Sequence, residues 1–195
     1  MLKVNEIFNS IQGEGPAAGE PATFIRLSGC NLKCTGCDTD HSISIEFSIE
    51  ETLPQISNDL VVITGGEPTL QLGFNLLVER LFAKGHTIDI ETNGTNQIAG
   101  NSLSRIRNVV ISPKRGSKVT LESNYGNVWY KFVIGSAPWT WIFSDIEDFR
   151  RKNPSTRIYL MPYGADLQNA STVWDYCVSH NIRYSDRLQW RVNRK

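Results

Sequence analysis

Six short runs of β-branched and apolar residues recur along the chain, at Thr23–Ser28, Leu60–Thr64, Thr87–Glu91, Asn108–Ser112, Trp129–Ile134 and Arg157–Leu160. Most are near-continuous apolar segments, as strands of a parallel sheet covered by helices are, rather than the in–out alternation of a half-solvated sheet. Helical signals stand between several of them. Ser48-Ile49-Glu50-Glu51 has the form of a capping box opening a helix toward Ile56. Leu70, Phe74, Leu77 and Leu81 recur at helical spacing, with Gly85 as the stop. Ser144-Asp145-Ile146-Glu147 repeats the capping-box form, and Ala170–His180 is amphipathic. The connections from Glu91 to Asn108 and from Ser112 to Trp129 carry Pro and Gly, which predicts loops or short helices. Right-handed crossovers then make a curved parallel sheet the economical arrangement, with ligands at the carboxyl ends of its strands.

The unusual residues fall at those ends. Directly after Ala22–Leu27 comes Gly29-Cys30-Asn31-Leu32-Lys33-Cys34-Thr35-Gly36-Cys37-Asp38-Thr39, a C-x3-C-x2-C spacing. Three thiolates so close together can hold three corners of an iron–sulfur cube, and no fourth cysteine lies nearby for the last iron. An iron without a protein ligand is an open coordination site, as in reactive rather than structural metal centres. Two other readings stand beside this one: a Cys3His zinc site completed by His41, and a closed ferredoxin-type cluster that borrows Cys177. The paired, distant C-x2-C knuckles of zinc ribbons are absent. At the end of the second run, Val61-Val62-Ile63-Thr64-Gly65-Gly66-Glu67-Pro68-Thr69 offers two glycines that let a ligand approach the backbone and a carboxylate suited to an ammonium group. A tight turn into a helix begun by Pro68 is the alternative.

At 195 residues the chain has the length of one well-buried domain, predicted to span 1–195. Lys plus Arg and Asp plus Glu both number 20, a balance that argues against a general nucleic-acid or membrane-surface binder while allowing a local basic pocket. No apolar run approaches the length of a membrane span, and Met1-Leu2-Lys3-Val4-Asn5-Glu6 lacks a signal-peptide core, which predicts a cytoplasmic protein. Four cysteines are too few for a disulfide scaffold, and thiolates that bind metal suit a reducing compartment. Cys177, in the helical stretch around Val173–Val178, reads as a buried structural thiol.

The cysteine spacing together with Gly65-Gly66-Glu67-Pro68 resembles the radical S-adenosylmethionine superfamily. Ile11-Gln12-Gly13-Glu14-Gly15, the segment Phe24–Cys30 with Arg26, Glu91-Thr92-Asn93-Gly94-Thr95 and Ile111-Ser112-Pro113-Lys114 narrow it. In that order the set resembles the 7-carboxy-7-deazaguanine synthase family, from about Asn5 to Lys114 and more weakly through Tyr130-Lys131-Phe132-Val133. The resemblance implies a shortened, incomplete (β/α)6-type partial barrel, with the motifs in residues 5–135 and a more divergent part at 136–195.

It implies a four-iron, four-sulfur cluster on Cys30, Cys34 and Cys37. S-adenosylmethionine would lie along Gly36, Cys37, Asp38, Gly65, Gly66, Glu67, Gly94, Ser112, Pro113 and Lys114, and magnesium at Thr39. The pterin substrate would be held by Ile11, Gln12, Gly13, Arg26 and Thr92, with the Arg26 fork suited to its carboxylate. Glu14 reads equally as a substrate contact or a loop carboxylate. The implied reaction contracts 6-carboxy-5,6,7,8-tetrahydropterin to 7-carboxy-7-deazaguanine with loss of ammonia, a step leading to queuosine. It would run in a homodimer fed by a flavodoxin- or ferredoxin-type reductant.

Two further readings are a radical activase or peptide-modifying enzyme, and a non-catalytic zinc or electron-transfer module. The family's C-terminal Gln-Pro pair and Gln-x-His-Lys tail have no counterpart in Leu160-Met161-Pro162-Tyr163-Gly164 or in Arg187–Lys195, so substrate contacts there do not carry over. Trp139, Trp141 and Phe143 read as a surface or dimer patch.

Overall fold

A computed structural model describes residues 1–121 and 126–192. Its nine strands are β1 (Leu2–Ile11), β2 (Pro21–Leu27), β3 (Ile45–Phe47), β4 (Leu60–Gly65), β5 (Thr87–Thr92), β6 (Asn108–Ile111), β7 (Val128–Ile134), β8 (Arg157–Pro162) and β9 (Arg183–Tyr184). They form one open sheet in the order β3-β1-β2-β4-β5-β6-β7-β8-β9. The six apolar runs are its parallel centre, β2 and β4 through β8, joined in chain order. The additions lie at the edges. β1 pairs antiparallel with β2, and β3 with β1, while β9 extends the parallel side. The sheet does not close, so the architecture is an incomplete barrel.

The helices are α1 (Ile49–Thr52), α2 (Phe74–Ala83), α3 (Gly100–Leu103), α4 (Phe143–Lys152), α5 (Leu167–His180) and α6 (Leu188–Arg191). At α1 the capping box forms as the sequence predicts: Ser48 Oγ accepts from Glu51 N, and the Glu51 carboxylate accepts from Ser48 N. α2 buries Phe74, Leu77 and Leu81. Leu70 does not join that stripe; it ends a 3-10 turn begun by Pro68 and is exposed. The second capping box is also displaced. α4 starts after Ile142, and Asp145 accepts from Ile142 N at 3.4 Å, so Ser144 is already inside the helix. Isoleucine has no side-chain acceptor, and only the returning half of a box exists there.

Strand residues alternate between two faces. Ile25, Val61, Ile63, Ile88, Ile90, Val109, Ile111 and Phe132 face the helices and pack with Leu77, Leu81, Ile146, Val173 and Cys177 in the main core. Cys177 is thereby buried as a packing residue. The opposite face is stratified. Phe24, Val62, Val110, Trp129 and Tyr159 fill its amino-terminal half, whereas Arg26, Thr64, Glu91, Ser112 and Lys131 occupy the carboxyl-terminal half, around a cleft.

The aromatic side chains Trp141 and Phe143 are half-buried and pack against the main core. Trp141 donates its indole N–H to Pro113 O and meets Phe132 edge-on, and Phe143 stacks on Tyr176 at 4.0 Å. No helix among the described residues is long and apolar enough to cross a membrane.

Arg107 ties the antiparallel edge to the parallel centre. Its guanidinium makes a fork on Asp89 (2.9 and 2.8 Å) and reaches Glu20 in the β1–β2 connection at 2.9 Å. Asp89 is 3% exposed, so losing its cation strands a buried carboxylate, with Asn108 Nδ2 the one side-chain donor left to it among the described residues. Arg107→Ala is expected to lower unfolding stability by about 2–4 kcal/mol in urea titration. A change below about 0.5 kcal/mol would show the clamp to be dispensable.

Candidate active site

At the end of β2 the chain turns into the cysteine loop, and the end of β4 pins that turn. Gly66 N donates to Leu27 O and Glu67 N to Gly29 O, both at 2.9 Å. Gly65 takes φ +124°. A Cβ there would lie 2.1 Å from Leu27 O, and one on Gly66 would lie 2.0 Å from Gly29 O. The two glycines are therefore demanded by backbone packing against backbone, not only by the approach of a ligand.

The Glu67 carboxylate is fully buried and turns away from the cleft. It accepts from Thr92 Oγ1 at 2.7 Å, Asn93 N at 2.7 Å and both Thr69 donors. Its side chain joins the ends of β4 and β5, leaving the turn's backbone as the part that faces the cleft.

The cleft encloses about 150 Å3 and opens to solvent. Cys30, Cys34, Cys37, Gly36 and Asp38 enter it from the loop, and Gly65, Gly66, Thr92, Ser112 and Lys114 from strand ends. Gln12, Gly13, Thr39, Glu67, Gly94 and Pro113 lie outside this lining, and Ile11, paired with Pro21 at the other end of β2, is exposed. Gln12 points back to donate to Glu91 at 3.2 Å, and Gly94, at φ +77°, accepts from Thr120 N and Leu121 N. Thr39 is buried and accepts from Arg26 at 3.3 Å.

The thiols are free. Partial burial, foremost, pushes the Cys30 and Cys34 thiols up, and neighbouring thiolate charge adds to it. Leu32 N and Asn93 Nδ2 donate to Cys30 Sγ at 3.4 and 3.9 Å, as donors to a metal-bound sulfur do. His41 Nε2 lies 3.8 Å from Cys37 Sγ, yet no three His, Cys, Asp or Glu side chains among the described residues converge enough to hold one ion. Cys177 belongs to α5 and the main core, so it supplies no fourth ligand. Three separated thiols around one opening, with sulfur-directed donors, fit a cube with one bare corner better than a zinc tetrahedron.

Of the lining residues, Trp139, Glu91, Lys131 and Arg187 carry no site assignment from sequence, whereas Lys114 does. Trp139 braces the cysteine loop: its indole N–H donates to Thr35 O at 2.7 Å, its ring meets Tyr163 edge-on, and Lys114 Nζ lies 5.2 Å above it. Lys114 donates to Ser112 O and Oγ, and its ammonium is pulled down to about 8, by burial first and then by Lys131. Glu91 accepts from Gln12 and, at 2.7 Å, from Thr64. Lys131 pairs with Glu14 at 2.6 Å, and Arg187, from the divergent end, approaches the same carboxylate at 3.4 Å. A lysine amid the apolar run Trp129–Ile134 is a legible signal; Arg187 has none.

A superfamily-type cysteine loop on an open parallel half-barrel defines a radical S-adenosylmethionine enzyme. No protein-family model matches the chain. A 7-carboxy-7-deazaguanine synthase of Hyperthermus butylicus is 34% identical over 99% of this chain and 89% of its own length. One from Pyrobaculum aerophilum is 31% identical over 96% and 92%. The crystal structure of QueE from Escherichia coli superposes with TM-score 0.71 at 25% identity, covering 96% of this chain and 94% of that one. The chain belongs to the 7-carboxy-7-deazaguanine synthase family.

Glu14 yields a pH prediction. Burial raises its carboxyl, but Lys131 and Arg187 outweigh that and hold it below the usual 4.5. A carboxyl depressed on folding contributes stability above about pH 4.5, lost as pH falls through the lower folded value. Glu14→Gln is therefore expected to cost about 2–4 kcal/mol at pH 7, the gap to the native chain narrowing below about pH 4.5. A gap independent of pH in urea titrations would contradict the ion-pair account.

Proposed function

We propose that this chain performs its family's ring contraction, of 6-carboxy-5,6,7,8-tetrahydropterin to 7-carboxy-7-deazaguanine with release of ammonia, using its residues as follows. The observation that carries the assignment is the cleft itself, where three free thiols and a set of buried, oppositely charged side chains meet. Cys30, Cys34 and Cys37 hold a four-iron, four-sulfur cluster. When bound, the cluster and S-adenosylmethionine supply a one-electron route to hydrogen abstraction from the substrate.

The protein positions. The Gly65–Gly66 backbone, Gly36, Asp38 and the Ser112–Lys114 turn serve the cofactor, with Gly94 holding the turn behind it. Arg26 faces the cleft with its Nε on Glu6 at 2.8 Å, which fixes the fork while leaving donors for a carboxylate. Glu91, held by Gln12 and Thr64, offers an acceptor to the amino-pyrimidine edge of a pterin. Thr92 and the Gln12–Gly13 segment support that face. Thr39 alone, beside the Arg26 cation, is a poor magnesium site. The ion would enter with the substrate carboxylate, which then supplies its remaining oxygens with water.

Free thiols suit a cytoplasmic setting, and the family resemblance supports a homodimer, a flavodoxin- or ferredoxin-type reductant and one domain over residues 1–195.

The test is oxygen-free incubation with carboxypterin, S-adenosylmethionine, magnesium and a strong reductant, followed by mass spectrometry. Formation of the deazapurine acid is expected; 5′-deoxyadenosine without that acid would move the chain to another radical substrate. Arg26→Ala is expected to raise KM for the carboxypterin about 10- to 100-fold, the worth of one charge-assisted contact, with substrate-free cofactor cleavage changed less than about threefold. Equal loss of both would make Arg26 a structural residue.

A further inference from the structure

At the amino-terminal ends of β7, β8 and β9, away from the cleft, lies a groove whose lining holds four arginines, Arg150, Arg151, Arg157 and Arg183, and no acidic residue. Its base is Trp129. β7 runs from this groove to the cleft, where Lys131 and Val133 emerge. Strand register puts Arg157 opposite Trp129, and the Arg157 and Arg183 guanidiniums lie 5.1 and 4.8 Å from the one indole.

Their other partners are neutral. Arg150 donates to His180 O and Arg157 to Gly126 O, so each fork is oriented without losing its charge. Among the described residues only Arg151 has a carboxylate, Asp148, and both are exposed. Trp129, 8% exposed, also carries a buried indole N–H with no acceptor among the described residues.

We propose that this groove binds a small ligand bearing two or more phosphate groups, at a site separate from the reaction cleft. Planar guanidinium forks match phosphate oxygens in pairs, and three arginines with no carboxylate partner among the described residues make a concentrated positive field around one opening. Trp129 is covered by the guanidiniums and offers no free face for stacking a base, which favours a ligand read by its phosphates over a nucleic-acid strand.

The experiment is isothermal titration of the full chain with inorganic tripolyphosphate at low salt. Saturable one-to-one binding is expected, weakened at least about tenfold by Arg157→Gln with Arg183→Gln, or by Arg150→Gln alone should the double variant fold poorly. Raising salt should weaken it too. Arg26→Gln, in the cleft, should leave it unchanged. No saturable binding overturns the proposal, as does loss on Arg26→Gln instead of the groove variants. Binding of a single-stranded oligonucleotide that tripolyphosphate cannot displace would also overturn it, in favour of a nucleic-acid partner.

Discussion

The site depends on a carboxylate buried beneath it. Glu67 is sealed beneath the cleft and gathers hydrogen bonds from Thr69, Thr92 and Asn93, so one buried charge determines where β4 and β5 end relative to each other. Its own backbone N–H then holds Gly29, one residue before the first cysteine. An ionised group without water is tolerable only when donors replace its hydration, and here several do. The geometry of the cysteine loop is thus inherited from the sheet through a few short bonds, and the glycines before Glu67 exist because nothing larger than hydrogen fits between those backbones.

Trp139 supports the same loop from the opposite direction. Its indole holds the Thr35 carbonyl between the second and third cysteines, and the Lys114 ammonium lies over its ring. The loop is therefore fastened at its first residues by the β4 turn and near its last by an aromatic arm from the β7–α4 connection. A loop held at both ends presents three thiols at a spacing the chain has chosen rather than one a metal must impose.

The parallel centre was legible because burial on both faces leaves continuous apolar runs, and all six became strands. β1 was not, since its register shifts between Val4 and Glu6 and its inner side carries polar residues that answer to partners elsewhere in sequence. Leu70 obeyed the helical spacing but lies in a 3-10 turn outside α2. The start of α4 is set by tertiary pairing: Trp141 N bonds Val133 O, and the helix begins where the chain leaves that bridge, two residues before the Ser144 signal. The cysteine and glycine motifs could be read because their chemistry is local. Glu67's inward turn, the Glu14–Lys131 pair and Arg187 could not, because each is defined by a residue far along the chain.

β1 explains why this sheet carries an antiparallel edge at all. Three charged residues of the parallel strands face the cleft, and each is matched from β1 or the segment after it: Arg26 by Glu6, Glu91 by Gln12, and Lys131 by Glu14. In water such pairs contribute little, but on the inner face of a half-barrel an unmatched charge would carry its full desolvation cost. Without β1 and the segment after it, Arg26 and Lys131 would lose their carboxylate partners and Glu91 would lose its Gln12 donor while keeping Thr64, an arrangement that folding would resist. With it, each group is oriented, and the two cations are also paired with carboxylates. The added strand therefore converts a face that a closed barrel would fill with apolar side chains into one lined by oriented polar and charged groups.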